Sequence, residues 1–528
     1  MLRFARLALL GSATTFFACS AANEDGDGSG AKAPASEAPR PATTEAASDP
    51  SATPVAIGGG DLTTGPGANP TSSAPLARGI TIDEVVLYQG TRVPIAKSGA
   101  RVASRVLPVI QGRDALVRLF VTPQAGKGAR ALDAELTVMS KGHAVGTVHT
   151  KATISQRSNE SDVASTFNFM VPGSALTPDA EYTVRILESG APSVATTTAS
   201  PAQFPTSGGT DRFDAQLTGT LKVLIVPLVY GADGSNRMPD VSAAVIDAAK
   251  KRLLEFYPVA DVDIRVRQPI AWSGAVLANG QGWDDVLDAV TRLRLTDNAP
   301  RDVYYYGAFA PAPTVNGYCG TDCLLGLSNM SETAGDSANR ASVGVLYADN
   351  DSIDTLPHEL GHAHGRPHAP CGGATDPDPK YPYPNAGIGA WGYSVVTRTL
   401  QPPTLHDQMS YCAPAWQSDY TYRALFDRIH ALATMRMGGP TSARTYRMLR
   451  VASDGTTTWS GEPFTTTSPI EGHPTTVSVV AAEGTVPKQV TGYAYGYDHA
   501  KGGVVIVPPE TLGDDVLRGT ARARIEAR

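Results

Sequence analysis

His358-Glu359-Leu360-Gly361-His362-Ala363-His364-Gly365-Arg366-Pro367-His368 is the stretch on which the reading of this chain turns. Residues four apart share one face of an α-helix, so His358 and His362 can aim their imidazoles at a single ion. Glu359, one position along, points too far round to share that ligand direction, yet it can reach a water held by the ion. His368 can return to the same ion only if the chain turns sharply. Gly365 supplies the left-handed residue that ends a helix cheaply, and Pro367 blocks continuation. Three histidines then leave a fourth tetrahedral position to water, the open coordination that separates catalytic from structural zinc. His364 falls off the ligand face and is expected to face solvent or to sit behind the ligands. His406 is left out of the ligand set.

Working outward, short apolar strands alternate with helical spacing. Leu221–Val229, Val262–Val266 and Val303–Phe309 read as strands, and Val241–Phe256 and Trp283–Leu293 as helices. Cys323–Leu327 reads as an edge strand, and Ala341–Tyr347 as a buried strand feeding the helix with the histidines. This alternation predicts an α/β layer on a largely parallel sheet. Tyr420–Met435 has helical spacing, with Ser418 or Asp419 placed to cap its first turn.

Upstream, Ile82–Leu87, Leu116–Val121, Ala134–Met139, Ser165–Val171 and Tyr182–Leu187 alternate with period two and predict a β-sandwich over 80–204. Downstream, Gly438, Gly439 and Pro440 punctuate the chain. Runs such as Thr476–Val480 and Gly503–Val507 predict a small β-domain over 441–528. The catalytic unit is bounded at 215–437. No repeat period emerges, which argues against a solenoid or propeller.

The complete HExxHxxGxxH pattern resembles the metzincin signature, and Asp407-Gln408-Met409-Ser410-Tyr411 resembles the methionine turn of that family. The likeness extends over about Leu221 to Met435. It implies a metzincin-like catalytic domain of α+β or α/β class, a mostly parallel twisted sheet with an active-site helix. One catalytic Zn2+ would be held by His358, His362 and His368, with Gly365 and Met409 in structural roles. Met409 would form the soft apolar floor beneath the histidines, and Tyr411 would approach the metal or the reacting oxyanion. The implied reaction is hydrolysis of peptide bonds in extracellular proteins or glycoproteins, with Glu359 as general base and then acid. Substrate would lie extended along the edge strand near Cys323–Leu327. Ala369-Pro370-Cys371-Gly372, Tyr381-Pro382-Tyr383 and Trp391-Gly392-Tyr393 look like secreted bacterial metzincins that cut mucin-type glycoproteins.

Two other readings compete: a surface lipoprotein that binds or adheres through its β-domains around a vestigial zinc site, and a zinc hydrolase acting on a non-peptide bond. Glu359 argues against the first, because holding zinc does not require a carboxylate there. Structural Ca2+ is conceivable at Asp376 and Asp378 by composition alone, without the ligand spacing of a known loop.

Composition narrows the partners. The 528 residues carry 44 basic and 51 acidic side chains, a net charge of -7, with no basic block to neutralise phosphates. Nucleic acid is not an expected partner. Arg3 and Arg6 precede an apolar stretch, Leu7–Phe17, of signal-peptide length, and Phe16-Phe17-Ala18-Cys19-Ser20 resembles the bacterial lipoprotein box. The expectation is export, with Cys19 lipidated and the protein held at the outer membrane or cell surface by that anchor alone. Ordinary signal cleavage and secretion is the other outcome. Residues 20–79, rich in Ala, Pro, Ser, Thr and Gly, read as a flexible tether. The remaining cysteines, Cys319, Cys323, Cys371 and Cys412, allow three disulfide connectivities. The closeness of the first two makes Cys371 and Cys412 natural partners for each other. Oligomeric state is not read from the sequence.

Overall fold

The structure is a computed structural model that describes residues 54–62, 72–189, 200–320, 323–435, 442–480, 486–499, 502–508, 516, 518 and 521–525. The expected signal segment, Cys19 and most of the expected tether lie outside the described residues. Among the described residues most regular structure is β-sheet and helices are few. No described helix is long and apolar enough to cross a membrane.

The sheet that positions the site is built on Thr220–Tyr230. Asp261–Val266 runs parallel to it on one side and Val303–Phe309 on the other. Ala341–Val345 continues the parallel order, and Gly326–Ser328 closes it antiparallel. The middle strands are almost wholly buried, as expected when helices cover both faces of a parallel sheet.

One face carries the helices Ala243–Phe256, Asn350–Ala363 and Asp419–Thr434, whose apolar sides share a core with Val223, Ile225 and Tyr306. Each helix starts where a side chain satisfies an orphan amide. Ser242 accepts from Val245 N, Asp349 from Ser352 N at 2.9 Å and Ser418 from Thr421 N at 3.0 Å. Those caps explain why the first helix begins at Ala243 and not Val241, and which of Ser418 and Asp419 is the cap.

The other face is covered by helix Trp283–Thr296, and beyond it by an antiparallel sheet ordered 457–466, 444–451, 503–507, 488–496, 473–480, 522–525. Tyr446, Met448, Tyr495 and Ile506 of that sheet join Trp283, Val286 and Val290 of the helix in one core. Arg450 reinforces the contact, pairing with Asp284 at 3.0 Å, with Asp285 at 2.8 Å, and with the buried Asp288.

The N-terminal region forms two sheets around a common core. One is ordered 167–171, 115–123, 80–88, 92–97, and the other 203–204, 180–188, 130–140, 143–154. That core takes in Tyr422 and Phe426 of the last helix. Buried Arg113 donates at 2.8 Å to the carbonyls of Gln89, Tyr257 and Val259, and also to that of Leu254.

Two more expected elements differ around the site. The edge strand is confined to Gly326–Ser328, because Cys323 is bridged to Cys319 and Leu324 N is committed to Ala278 O at 2.8 Å. The strand before the active-site helix ends at Val345, since Tyr347 N turns to the Ser352 hydroxyl at 3.0 Å.

Candidate metal centre

Helix Asn350–Ala363 places His358 and His362 one turn apart, with their Nε2 atoms 3.1 Å from each other. Gly365 ends the helix at φ +82°, in the left-handed region, and a Cβ there would collide with Ser331 O. Gly365 N bonds His362 O at 2.7 Å and Arg366 N bonds Gly361 O at 3.0 Å, and the reversal brings His368 back. The His368 ring centre lies 4.6 Å from that of His362 and 5.5 Å from that of His358.

Each of these histidines has its Nδ1 beside a backbone carbonyl: His358 with Gln408 O at 2.7 Å, His362 with Arg366 O at 2.6 Å, His368 with Thr375 O at 2.7 Å. A carbonyl can only accept, so each Nδ1 carries the proton and each Nε2 keeps its lone pair. Two lone pairs facing at 3.1 Å repel unless a cation lies between them. The carboxyls of Glu359 and Asp498 are buried beside the imidazoles and interact with each other there. Converging neutral imidazoles, carbonyl-anchored at the far nitrogen and flanked by two carboxyls, fit a zinc ion.

Burial is the main cause of the pKa shifts here. It pushes His358 down to about 3, His368 to about 2 and His362 well below its usual value, so all three stay neutral donors at neutral pH. It raises Glu359 to about 8, which makes its carboxyl a proton carrier near neutrality in the absence of a cation.

The Glu359 carboxylate lies over Gly326 of the edge strand, where any Cβ would collide with it. Met409 is buried and packs its sulfur against the active-site helix at Gly361, again where a Cβ would collide. Ala369 and Ala386 complete that small core. The turn also acts through its backbone: Gln408 O orients His358, and Met409 O accepts from Ala369 N at 2.8 Å. Cys371–Cys412 ties the segment after His368 to the segment after Met409, and Cys319–Cys323 closes the short helix Val315–Cys319. Tyr411 Oη reaches the cluster, 3.0 Å from His368 Nε2.

His364 departs from expectation. It is neither at the surface nor behind the ligands but in the core, stacked on Tyr304 at 4.2 Å with Nδ1 donating to Leu360 O at 2.6 Å. His406 donates from Nδ1 to Asn385 O at 2.8 Å, away from the imidazole cluster.

Two residues of the site were not anticipated. Asp498 and His499, at the end of strand Lys488–Gly496, enter from the C-terminal sheet. His499 contributes a fourth imidazole to the group of His358, His362 and His368, whose donor atoms all lie within 4.8 Å of one another. Its Nδ1 is 2.6 Å from Tyr411 Oη and its Nε2 3.3 Å from Glu359 Oε1. Asp498 Oδ1 accepts from Ser328 N at 2.9 Å, leaving Oδ2 3.3 Å from His362 Nε2. One lone Asp-His pair in a β-segment carries no spacing that could have flagged it.

Beside the cluster lies a cleft of about 180 Å³, whose lining includes Phe256, Leu324–Gly326, Thr355 and Ser410–Ala413. Most of its lining is apolar.

With that geometry in view, residues 328–447 match a peptidase family, Peptidase M66. The matched segment holds the helix histidines, Glu359, His368, Met409 and Tyr411, and it supports a peptidase. No curated protein matches the chain. Among solved structures, a calcium binding mutant of Bacteroides uniformis beta-glucuronidase 2 is similar over 46% of this chain and 26% of that chain, at 12% identity and a TM-score of 0.13. The chain thus spans about a quarter of that enzyme, and so slight a likeness carries no argument.

Proposed function

We propose that this chain is a zinc-dependent endopeptidase of the metzincin kind, acting on extracellular proteins or glycoproteins. The observation that carries the reading is the tautomer lock: three Nδ1 atoms committed to carbonyls and three Nε2 lone pairs converging beside Glu359. His358, His362 and His368 would hold the ion. When bound, zinc supplies an acidified water and polarises a carbonyl. Glu359, held over Gly326, is placed to take a proton from a water in the cleft and return it to a leaving amine. The Tyr411 hydroxyl is placed to donate to developing negative charge. The apolar cleft lined by Leu324–Gly326 and Ser410–Ala413 would take a substrate side chain.

The test is zinc content together with cleavage of a broad mixture of denatured and glycosylated proteins, for wild type and Glu359→Ala. Loss of a carboxylate acting as general base lowers the rate by about 10²–10⁴-fold. Equal zinc loading with cleavage in the wild type only is the expected result. Bound zinc with no cleavage by either form would reject the peptidase and favour the binding protein or the non-peptide hydrolase.

A further inference from the structure

The substrate's expected place is partly filled by the chain itself. Beyond Gly326–Ser328 the edge continues through Asn329 and Met330, and this edge is paired. Asp498 N donates to Ser328 O at 3.2 Å, Met330 N donates to Gly496 O at 2.9 Å, and Asn329 and Tyr497 form an antiparallel bridge. An extended substrate adding to that edge needs the same backbone groups.

The segment so held ends in His499. For His499 to hold an ion through Nε2 its proton must sit on Nδ1, where Tyr411 Oη, 2.6 Å away, is the acceptor. His499 Nε2 faces the cluster, 3.3 Å from Glu359 Oε1 and 3.2 Å from Asp498 Oδ2, the two acceptors an Nε2 proton would be shared with when no cation is bound. His499 Nε2 lies within 4.8 Å of the donor nitrogens of His358, His362 and His368, close enough to join them on one ion.

We infer that His499 is a fourth protein ligand to the metal and that Gly496–His499 is an internal cap, which must withdraw from Ser328–Met330 before substrate and water can enter. This rests on the peptidase reading and adds its regulation. A four-imidazole centre is closed in the way structural zinc sites are closed. The cap belongs to the C-terminal sheet, anchored at its base by Tyr497 Oη donating to Asp288 at 2.8 Å, so whatever shifts that sheet uncovers the site.

The test uses the full chain loaded with zinc, or with cobalt as a spectroscopic stand-in. X-ray absorption at the zinc edge of the wild type should count four imidazoles, and three plus one light ligand in His499→Ala. The variant should also release zinc to a chelator at least about tenfold faster, show a changed cobalt visible spectrum, and cleave denatured protein faster than the wild type. The wild-type count needs no variant to fold. Three imidazoles and a light ligand in the wild type, with cleavage and zinc release unchanged in His499→Ala, would overturn the cap and leave the peptidase standing. Four imidazoles with no cleavage by either form would overturn both.

Discussion

Two β-regions dock on the same α/β layer, and they do so to different ends. The N-terminal pair of sheets is fastened through Arg113, whose guanidinium spans backbone carbonyls of Gln89 and of the end of helix Ala243–Phe256. Through its shared core it also holds the last helix. Among the described residues, none of its side-chain hydrogen bonds reaches His358, His362 or His368. The C-terminal sheet is fastened by a comparable arginine, Arg450, over helix Trp283–Thr296, but one of its strands runs on to place Asp498 and His499 among the imidazoles. A flanking β-region is thus scaffold or part of the site according to where a single loop leads. Core packing, which both regions share, does not distinguish them.

The sharpest way to break this contrast is to remove the two arginines in parallel. Arg113→Ala strands several buried carbonyls, and Arg450→Ala removes the only cation paired with the buried Asp288 carboxylate among the described residues, leaving it the Tyr497 and Ser460 hydroxyls. Each should cost about 3–5 kcal/mol in stability, read as a lowered unfolding midpoint. Only Arg450→Ala should hasten zinc release to a chelator under folding conditions. Equal acceleration in Arg113→Ala would show that the N-terminal region also reaches the metal centre and would erase the distinction.

A second substitution tests the layer between the two regions. Gly326→Ala puts a methyl group where the Glu359 carboxylate lies. Displacing that carboxylate by about an ångström should lower kcat about 10²-fold, with zinc content and unfolding midpoint near those of the wild type. Unchanged kcat would mean that Glu359 works from a different position.

What the sequence made legible follows from range. The motif histidines, Glu359 and Gly365 lie within eleven consecutive residues, where helix geometry and a left-handed glycine dictate the placement. Met409 and Tyr411 needed the family resemblance, because nothing local says what a methionine 41 residues downstream packs against. His364 was misplaced because helical phase gives direction, not depth. It faces Tyr257 and Tyr304, which come from other elements. Strand His143–Ile154 was not singled out: its Gly, Thr, His and Lys positions interrupt the apolar run, and one of its faces is largely exposed. Asp498 and His499 were invisible for the strongest reason. They lie 130 residues or more from His368, and only the docking of the C-terminal sheet brings them to it.

The smallest predicted effect is also the cleanest comparison, because the chemistry removed is the same on both sides. Tyr422 Oη donates to Gln89 O at 2.9 Å on the N-terminal side, and Tyr497 Oη to Asp288 Oδ1 at 2.8 Å on the C-terminal side. Both rings are buried, so Tyr→Phe deletes one hydrogen bond and keeps the packing, at about 1 kcal/mol each and somewhat more for the carboxylate partner. Thermal unfolding should register the two variants almost alike. Zinc release should not: Tyr497 immediately precedes Asp498 and His499, so loosening it raises the fraction of time the cap is off the metal. A loss of 1.4 kcal/mol would correspond to about tenfold. Tyr422→Phe should leave release unchanged. Identical release from both variants would mean that the cap is held by the Ser328–Met330 backbone pairing alone, and that docking of the C-terminal sheet does not control the metal centre.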